Sequence, residues 1–166
     1  MSPKSEAQTV DMQLNGQPVS VPVAHGELLI ESLRERMDCT SVRGSCGIGI
    51  CGTCTVQVDG RAVSACLMLT EQARDRTVTT SEGLCADGHL DEIQQAFVDH
   101  EAYQCSFCIP GMVMALRALK DERPDADADT AREVLGGNLC RCGTYPWILD
   151  AVEDLFPATQ GAPHPE

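Results

Sequence analysis

The stretch Cys46-Gly47-Ile48-Gly49-Ile50-Cys51-Gly52-Thr53-Cys54 decides how the rest of the chain is read. Its cysteines stand at C-x4-C-x2-C spacing, with glycines between them. Cys66 follows after a short stretch that has the pattern of a hairpin. Further on, Cys105 and Cys108 form C-x-x-C, and Cys140 and Cys142 form C-x-C. Eight of the ten cysteines thus fall into two groups of four. The remainder of the chain reads as scaffold for two metal sites.

The first group, Cys46, Cys51, Cys54 and Cys66, has the spacing of plant-type [2Fe–2S] sites. Several thiolates must converge on one inorganic core, so the backbone has to wrap it closely. Glycine permits the conformations this requires, and Gly47, Gly49 and Gly52 stand where the loop needs them. Their amides are also placed to donate to sulfur. Zinc prefers paired C-x-x-C knuckles, so the first group points to iron–sulfur. For the second group, Cys105, Cys108, Cys140 and Cys142, spacing alone leaves zinc and iron–sulfur both open. Cys108 lies just before a helix opened by Pro110, and Cys142 just before one starting near Tyr145. Two helix N-termini would bring amides and positive dipole ends to the site. A zinc tetrathiolate is anionic too, so this placement does not decide between the metals.

Composition sets the frame. The 166 residues suit one large or two small domains, and aromatics are only 4%. The core must therefore rest on aliphatic side chains, and metal staples help domains of such size. A net charge of −13 argues against nucleic acid or an anionic membrane surface as partner. It suits a solvated, solubilising surface, or docking to a basic partner. No apolar run is long enough to span a bilayer, and Met1 to Val10 lacks a hydrophobic signal core. A cytoplasmic, reducing location is expected, where clustered cysteines hold metal rather than form disulfides. Neighbours as close as Cys140 and Cys142 seldom reach disulfide geometry without strain.

Periodicity divides the chain. Residues 1–8 read as a flexible tail. Thr9 to Leu14 and Val19 to Val23 alternate around Asn15-Gly16, a strong hairpin signal. Glu27 to Arg36 shifts to helical spacing, with Leu28, Leu29, Ser32 and Leu33 on one face. Thr55 to Val58 and Arg61 to Cys66 flank Asp59-Gly60 as a second hairpin, and Arg76 to Thr80 is a final strand. Residues 81–88 read as a linker. After His89 the pattern is helical: Leu90, Ile93, Gln94 and Phe97; Met112, Val113, Leu116 and Leu119 after Pro110; Thr130 to Leu135; and Tyr145 to Phe156, with Ile148, Leu149, Val152 and Leu155 inward. Residues 158–166 read as a disordered tail. The expected class is α+β, with a β-grasp domain over 9–80 and a helical bundle over 89–157.

Three motifs carry a resemblance: C-G-I-G-I-C-G-T-C-T-V at 46–56, A-Y-Q-C-S-F-C-I-P-G-M-V at 102–113 and G-N-L-C-R-C-G at 137–143. In these, and from about Val10 to Leu155, the chain resembles the iron–sulfur subunit of the xanthine oxidase family of molybdenum hydroxylases. The resemblance implies a plant-type ferredoxin-like β-grasp domain followed by a four-helix bundle, each with one [2Fe–2S] cluster. It implies that the cluster on Cys105, Cys108, Cys140 and Cys142 lies nearest a molybdenum–pterin cofactor held by a separate large subunit. The cluster on Cys46, Cys51, Cys54 and Cys66 would pass electrons outward. Gln104 matches a family residue that hydrogen-bonds the pterin, and Cys142 one that lies close to the pterin's amino group. Ser106 stands where the family often has Gly, and Ile109 where Thr is usual. The order Gly143-Thr144-Tyr145 is similar to that of isoquinoline-oxidoreductase and periplasmic-aldehyde branches, some of which use a cytochrome acceptor and lack a flavin subunit. The resemblance accordingly implies either a medium FAD subunit or a cytochrome as acceptor, within a hetero-oligomer.

Outside the two groups, Cys39 and Cys85 are expected to be packing cysteines, and the four histidines share no metal spacing. No nucleophile–base pair or nucleotide fingerprint is present, so no catalytic residue is expected in this chain. The expected role is electron transfer within an enzyme that hydroxylates an N-heterocycle or aldehyde with water. The competing roles are a free two-cluster ferredoxin-type carrier and a metal-stabilised interaction module.

Overall fold

The computed structural model describes residues 8–85 and 87–157. Of the tails expected at 1–8 and 158–166, residues 1–7 and 158–166 lie outside the described residues. Strand β1 (Gln8–Leu14) turns at Asn15-Gly16 into β2 (Gln17–Val23). Both turn residues have positive φ, 51° and 77°, which is the two-residue hairpin geometry that follows the natural strand twist. Gln8 pairs with Val23, so it belongs to the strand and not to a tail. The second hairpin joins β3 (Thr55–Val58) and β4 (Arg61–Ser64) through Asp59-Gly60, again with positive φ at both residues. β4 stops at Ser64 rather than at Cys66. Ala65 N–H still bonds the Cys54 carbonyl at 3.2 Å, and the chain then leaves the ladder toward the cysteine loop.

β5 (Thr77–Thr79) lies at the centre of the sheet, whose order is β2-β1-β5-β3-β4. It runs parallel to β1 and antiparallel to β3. Val10, Met12, Leu14, Val21 and Val23 line one face and are buried, as are Leu29 and Leu33 of the crossing helix.

That helix is shorter than its periodicity predicts. Regular α-helix covers only Leu29–Glu31 (α1), and Ser32–Arg36 continues as a π turn. Polar contacts surround the point where the helix changes. Ser32 is fully buried; its hydroxyl bonds Glu27 Oε1 at 2.5 Å and pairs with the Thr70 hydroxyl at 2.8 Å. Glu27 in turn receives Arg36 through Nε and Nη2, both at 2.7 Å. The Arg36 bonds are the main cause holding the Glu27 carboxyl down to about 2 from its ordinary 4.5. Burial opposes them, and the Ser32 hydroxyl and Ala24 amide reinforce them. A carboxyl held below its unfolded value contributes stability that is complete above about 4.5 and fades as pH falls toward 2. Glu27→Gln is therefore expected to cost about 2 kcal/mol at neutral pH, read as a lower urea midpoint. The gap should close in acid as wild-type Glu27 protonates.

The 81–88 stretch is packed rather than loose at its start. Ser81–Leu84 forms a 3-10 turn, and the Gln94 side-chain amide donates to the Ser81 carbonyl at 2.9 Å. Four helices follow: α2 (Glu92–Asp99), α3 (Ile109–Glu122), α4 (Ala128–Leu135) and α5 (Tyr145–Leu155). Leu90 falls before α2 and is exposed, because Asp91 takes the cap position, its carboxylate accepting from Ile93 N–H at 3.0 Å. α4 starts two residues before Thr130, since Asp127 caps it by accepting Thr130 N–H at 2.9 Å. Ile93, Phe97, Met112, Val113, Leu116, Ile148 and Val152 form a second core, while Leu149 and Leu155 are only half-buried.

The two cores approach closely at one main-chain contact. A Cβ built on Gly111 of α3 would lie 2.2 Å from the Gly52 carbonyl oxygen. No side chain fits between the helix and the cysteine loop at that point.

Candidate metal centres

Cys46, Cys51, Cys54 and Cys66 line one cavity of about 260 Å³, closed on one side by Leu28 and Ile30. Cys51, Cys54 and Cys66 are buried, and Cys46 sits at the rim. Gly47, Gly49 and Gly52 have φ of 68°, 73° and 69°, the left-handed region that glycine enters without strain. This winding turns amides inward. Ile48 N–H donates to Cys46 Sγ at 3.5 Å. That amide, then those of Cys51 and Ile50, bring the Cys46 thiol down to about 6. Burial pushes Cys54 the other way, to about 11.

The second quartet assembles from two loops. Cys105 and Cys142 place their sulfurs 3.3 Å apart, and the Cys108 thiol lies against Cys140. Cys108 is the N-cap of α3 and Thr144 that of α5, so both helix starts adjoin the sulfurs. Burial drives Cys108 up to about 12, with Cys140 adding to it. Burial also pushes Cys140 up, but the Thr144 hydroxyl and the Cys142 and Thr144 amides outweigh it and bring that thiol down to about 7. Each quartet thus combines a buried, apolar side with a sulfur surrounded by donors.

Whether these residues fit a cluster is answered by their arrangement. The first four cysteines line a shared cavity, which suits a core of several atoms. Amide donors facing all-sulfur ligands suit an iron–sulfur core better than a lone zinc ion.

Several residues that shape the sites carry no periodic signal in the sequence. Asn138 is buried, and its side-chain amide donates to the Gly52 carbonyl at 2.9 Å. Leu139 N–H donates to the Cys51 carbonyl at 2.9 Å. Cys140 N–H donates to Tyr145 Oη at 2.8 Å, and the Tyr145 hydroxyl donates to the Asn138 carbonyl at 3.2 Å. Tyr145 thereby clamps the loop that carries Cys140. Arg43 donates to the Ser106 carbonyl and lies 5.5 Å from the centre of the Phe107 ring. Ser106 has φ of 59°, the strained conformation that a glycine would hold more easily.

Gln104 is exposed on the 103–107 loop beside exposed Cys105. Tyr103 and Phe107 on the same loop, Leu139 and Trp147 are also exposed. Cys39 is in the first core. Cys85 is not a packing residue: it is exposed, and its thiol donates to Gln94 Oε1 at 3.3 Å. It follows the 3-10 turn, where the chain has already left the core. No helix among the described residues is long and apolar enough to cross a membrane.

Comparison with known proteins agrees with this architecture. A family model described as "2Fe-2S iron-sulfur cluster binding domain" matches residues 8–106, and one described as "[2Fe-2S] binding domain" matches 80–153. The nicotinate dehydrogenase small FeS subunit of Eubacterium barkeri is 40% identical over 87% of this chain and 92% of its own length. The xanthine dehydrogenase iron-sulfur-binding subunit of Escherichia coli O157:H7 is 40% identical, covering 90% of this chain and 95% of its own. The solved structure of quinoline 2-oxidoreductase from Pseudomonas putida 86 superposes with a TM-score of 0.86 at 37% identity, over 90% of this chain and 93% of that one. The aldehyde oxidoreductase of Desulfovibrio desulfuricans matches with a TM-score of 0.83 and 37% identity over 89% of this chain, which spans only 17% of that longer polypeptide. The chain belongs to the iron–sulfur small subunits of the xanthine oxidase family of molybdenum hydroxylases.

Proposed function

We propose that this chain holds two [2Fe–2S] clusters and relays electrons from a molybdenum–pterin centre in a large partner subunit to a flavin or cytochrome acceptor. Cys46, Cys51, Cys54 and Cys66 would ligate the outer cluster, within a β-grasp domain over 9–80. Cys105, Cys108, Cys140 and Cys142 would ligate the inner one, within a four-helix bundle over 89–157. When bound, each cluster accepts and returns one electron. The holoenzyme would hydroxylate an N-heterocycle or aldehyde with oxygen from water.

One observation carries this reading. The bond from Leu139 N–H to the Cys51 carbonyl joins the residue before Cys140 to a residue of the other quartet. A free carrier needs one exposed centre; two abutting sites suit a series relay. The exposed Tyr103, Phe107, Leu139 and Trp147 supply the aromatic and apolar surface typical of an interface core. The amides and hydroxyls facing Cys46 and Cys140 would stabilise added negative charge on sulfur.

EPR of the reduced protein, with iron and labile-sulfide analysis, tests the relay. Two distinct [2Fe–2S] signals are expected, together with co-purification of a large molybdenum subunit. Zinc in place of iron would overturn the cluster reading, and isolation as a lone active carrier would overturn the relay reading.

Gln104 is assigned a contact to the pterin. Gln104→Ala should leave both cluster signals in place and slow their reduction by substrate about tenfold, the effect of one lost hydrogen bond of about 1.4 kcal/mol. Rapid-mixing absorbance at the clusters measures this, and an unchanged rate removes the assignment.

A further inference from the structure

We propose that Thr144 sets the reduction potential of the inner site by donating its hydroxyl to the Cys140 sulfur. The inference rests on the ligand set assigned above.

Thr144 is the N-cap residue of α5. A threonine there ordinarily turns its hydroxyl onto an amide of the first helical turn. Here the hydroxyl makes no such cap bond. Its oxygen lies 3.1 Å from Cys140 Sγ. Thr144 is only 2% exposed, so water competes poorly for the hydroxyl. A metal-bound thiolate carries no proton, so the threonine must be the donor. Cys142 N–H, 3.4 Å from the same sulfur, is a second donor.

The outer site offers a contrast. The Thr53 hydroxyl oxygen lies 3.3 Å from Cys51 Sγ, a similar approach. Its proton, however, goes to the Arg43 carbonyl at 2.8 Å. That hydroxyl has no second hydrogen for sulfur. Of the two threonines that lie beside ligand sulfurs among the described residues, Thr53 has committed its proton and Thr144 has its proton available. A hydrogen bond to a ligand sulfur withdraws charge and favours the more negative, reduced state. The inner site is therefore biased toward accepting an electron by one side chain outside the ligand set.

The test is an EPR-monitored redox titration of the holoprotein with its partner subunits. The inner signal is identified as the one that survives Cys51→Ser. In Thr144→Val, the ratio of reduced to oxidised inner site at a fixed potential should fall about tenfold, or 59 mV for a one-electron couple. Thr144→Ser, which keeps the hydroxyl, should titrate with the wild type, and the outer signal should not move in either variant. An unmoved inner potential in Thr144→Val overturns the proposal. So does a Thr144→Ser shift as large as that of Thr144→Val, because the hydroxyl would then be irrelevant. Should the valine chain lose the inner signal, Thr144→Ala removes the hydroxyl without added apolar bulk and is read by the same criteria. A wild-type preparation lacking any inner signal would overturn the ligand set, and this inference with it.

Discussion

Gly111→Ala should destabilise the protein by about 2 kcal/mol, opposite in sign to the usual effect of that exchange within a helix. Alanine normally gains about 1 kcal/mol over glycine at an interior helical position. Here the added carbon would stand 2.2 Å from the Gly52 carbonyl oxygen and 3.1 Å from the Thr53 Cα. Both are backbone atoms of the cysteine loop and cannot swing aside as a side chain would. Relief requires α3 to move away from that loop, and Cys108, at the head of α3, would move with it. The urea midpoint of the holoprotein should fall. Gly137→Ala is the control: its Cβ would meet only the Val134 carbonyl, at an ordinary 3.7 Å, so its midpoint should stay within about 0.5 kcal/mol of wild type. Equal effects of the two substitutions would contradict the role given to the Gly111–Gly52 contact.

The second large effect is expected from Cys51→Ser. A serine oxygen is a hard donor and a poor replacement for a soft thiolate on iron. The EPR spectrum of the reduced protein should lose one cluster signal and keep the other. The Cys51 carbonyl that accepts from Leu139 N–H is main chain and survives the substitution, so the inner loop keeps its support. Retention of both signals would refute Cys51 as a ligand. Loss of both would mean that the sites do not assemble independently.

Local chemistry makes much of this molecule legible. Asn15-Gly16 and Asp59-Gly60 mark their hairpins because a two-residue turn with positive φ admits few other residues. The left-handed glycines around Cys46 to Cys54 follow from the need to wrap a core with backbone. What cannot be read depends on partners far along the chain. The buried Ser32 finds a partner in the Thr70 hydroxyl, 38 residues along the chain. The parallel pairing of β1 with β5 joins Gln13 to Thr77, which no local pattern encodes. Asn138 and Thr144 sit inside or beside a quoted motif, yet their roles come from the Gly52 carbonyl and the Cys140 sulfur that folding brings to them. Cys85 defeats the expectation of packing because thiol hydrophobicity does not reveal where a turn leaves the core.

The junction of the two halves has a consequence for design. Gly111 against Gly52, and Leu139 N–H on the Cys51 carbonyl, are meetings of main chain with main chain. Substitutions on the outer surface of either half do not touch these two contacts. The outer surface can therefore be altered for different companions while the separation of the two cysteine quartets stays the same.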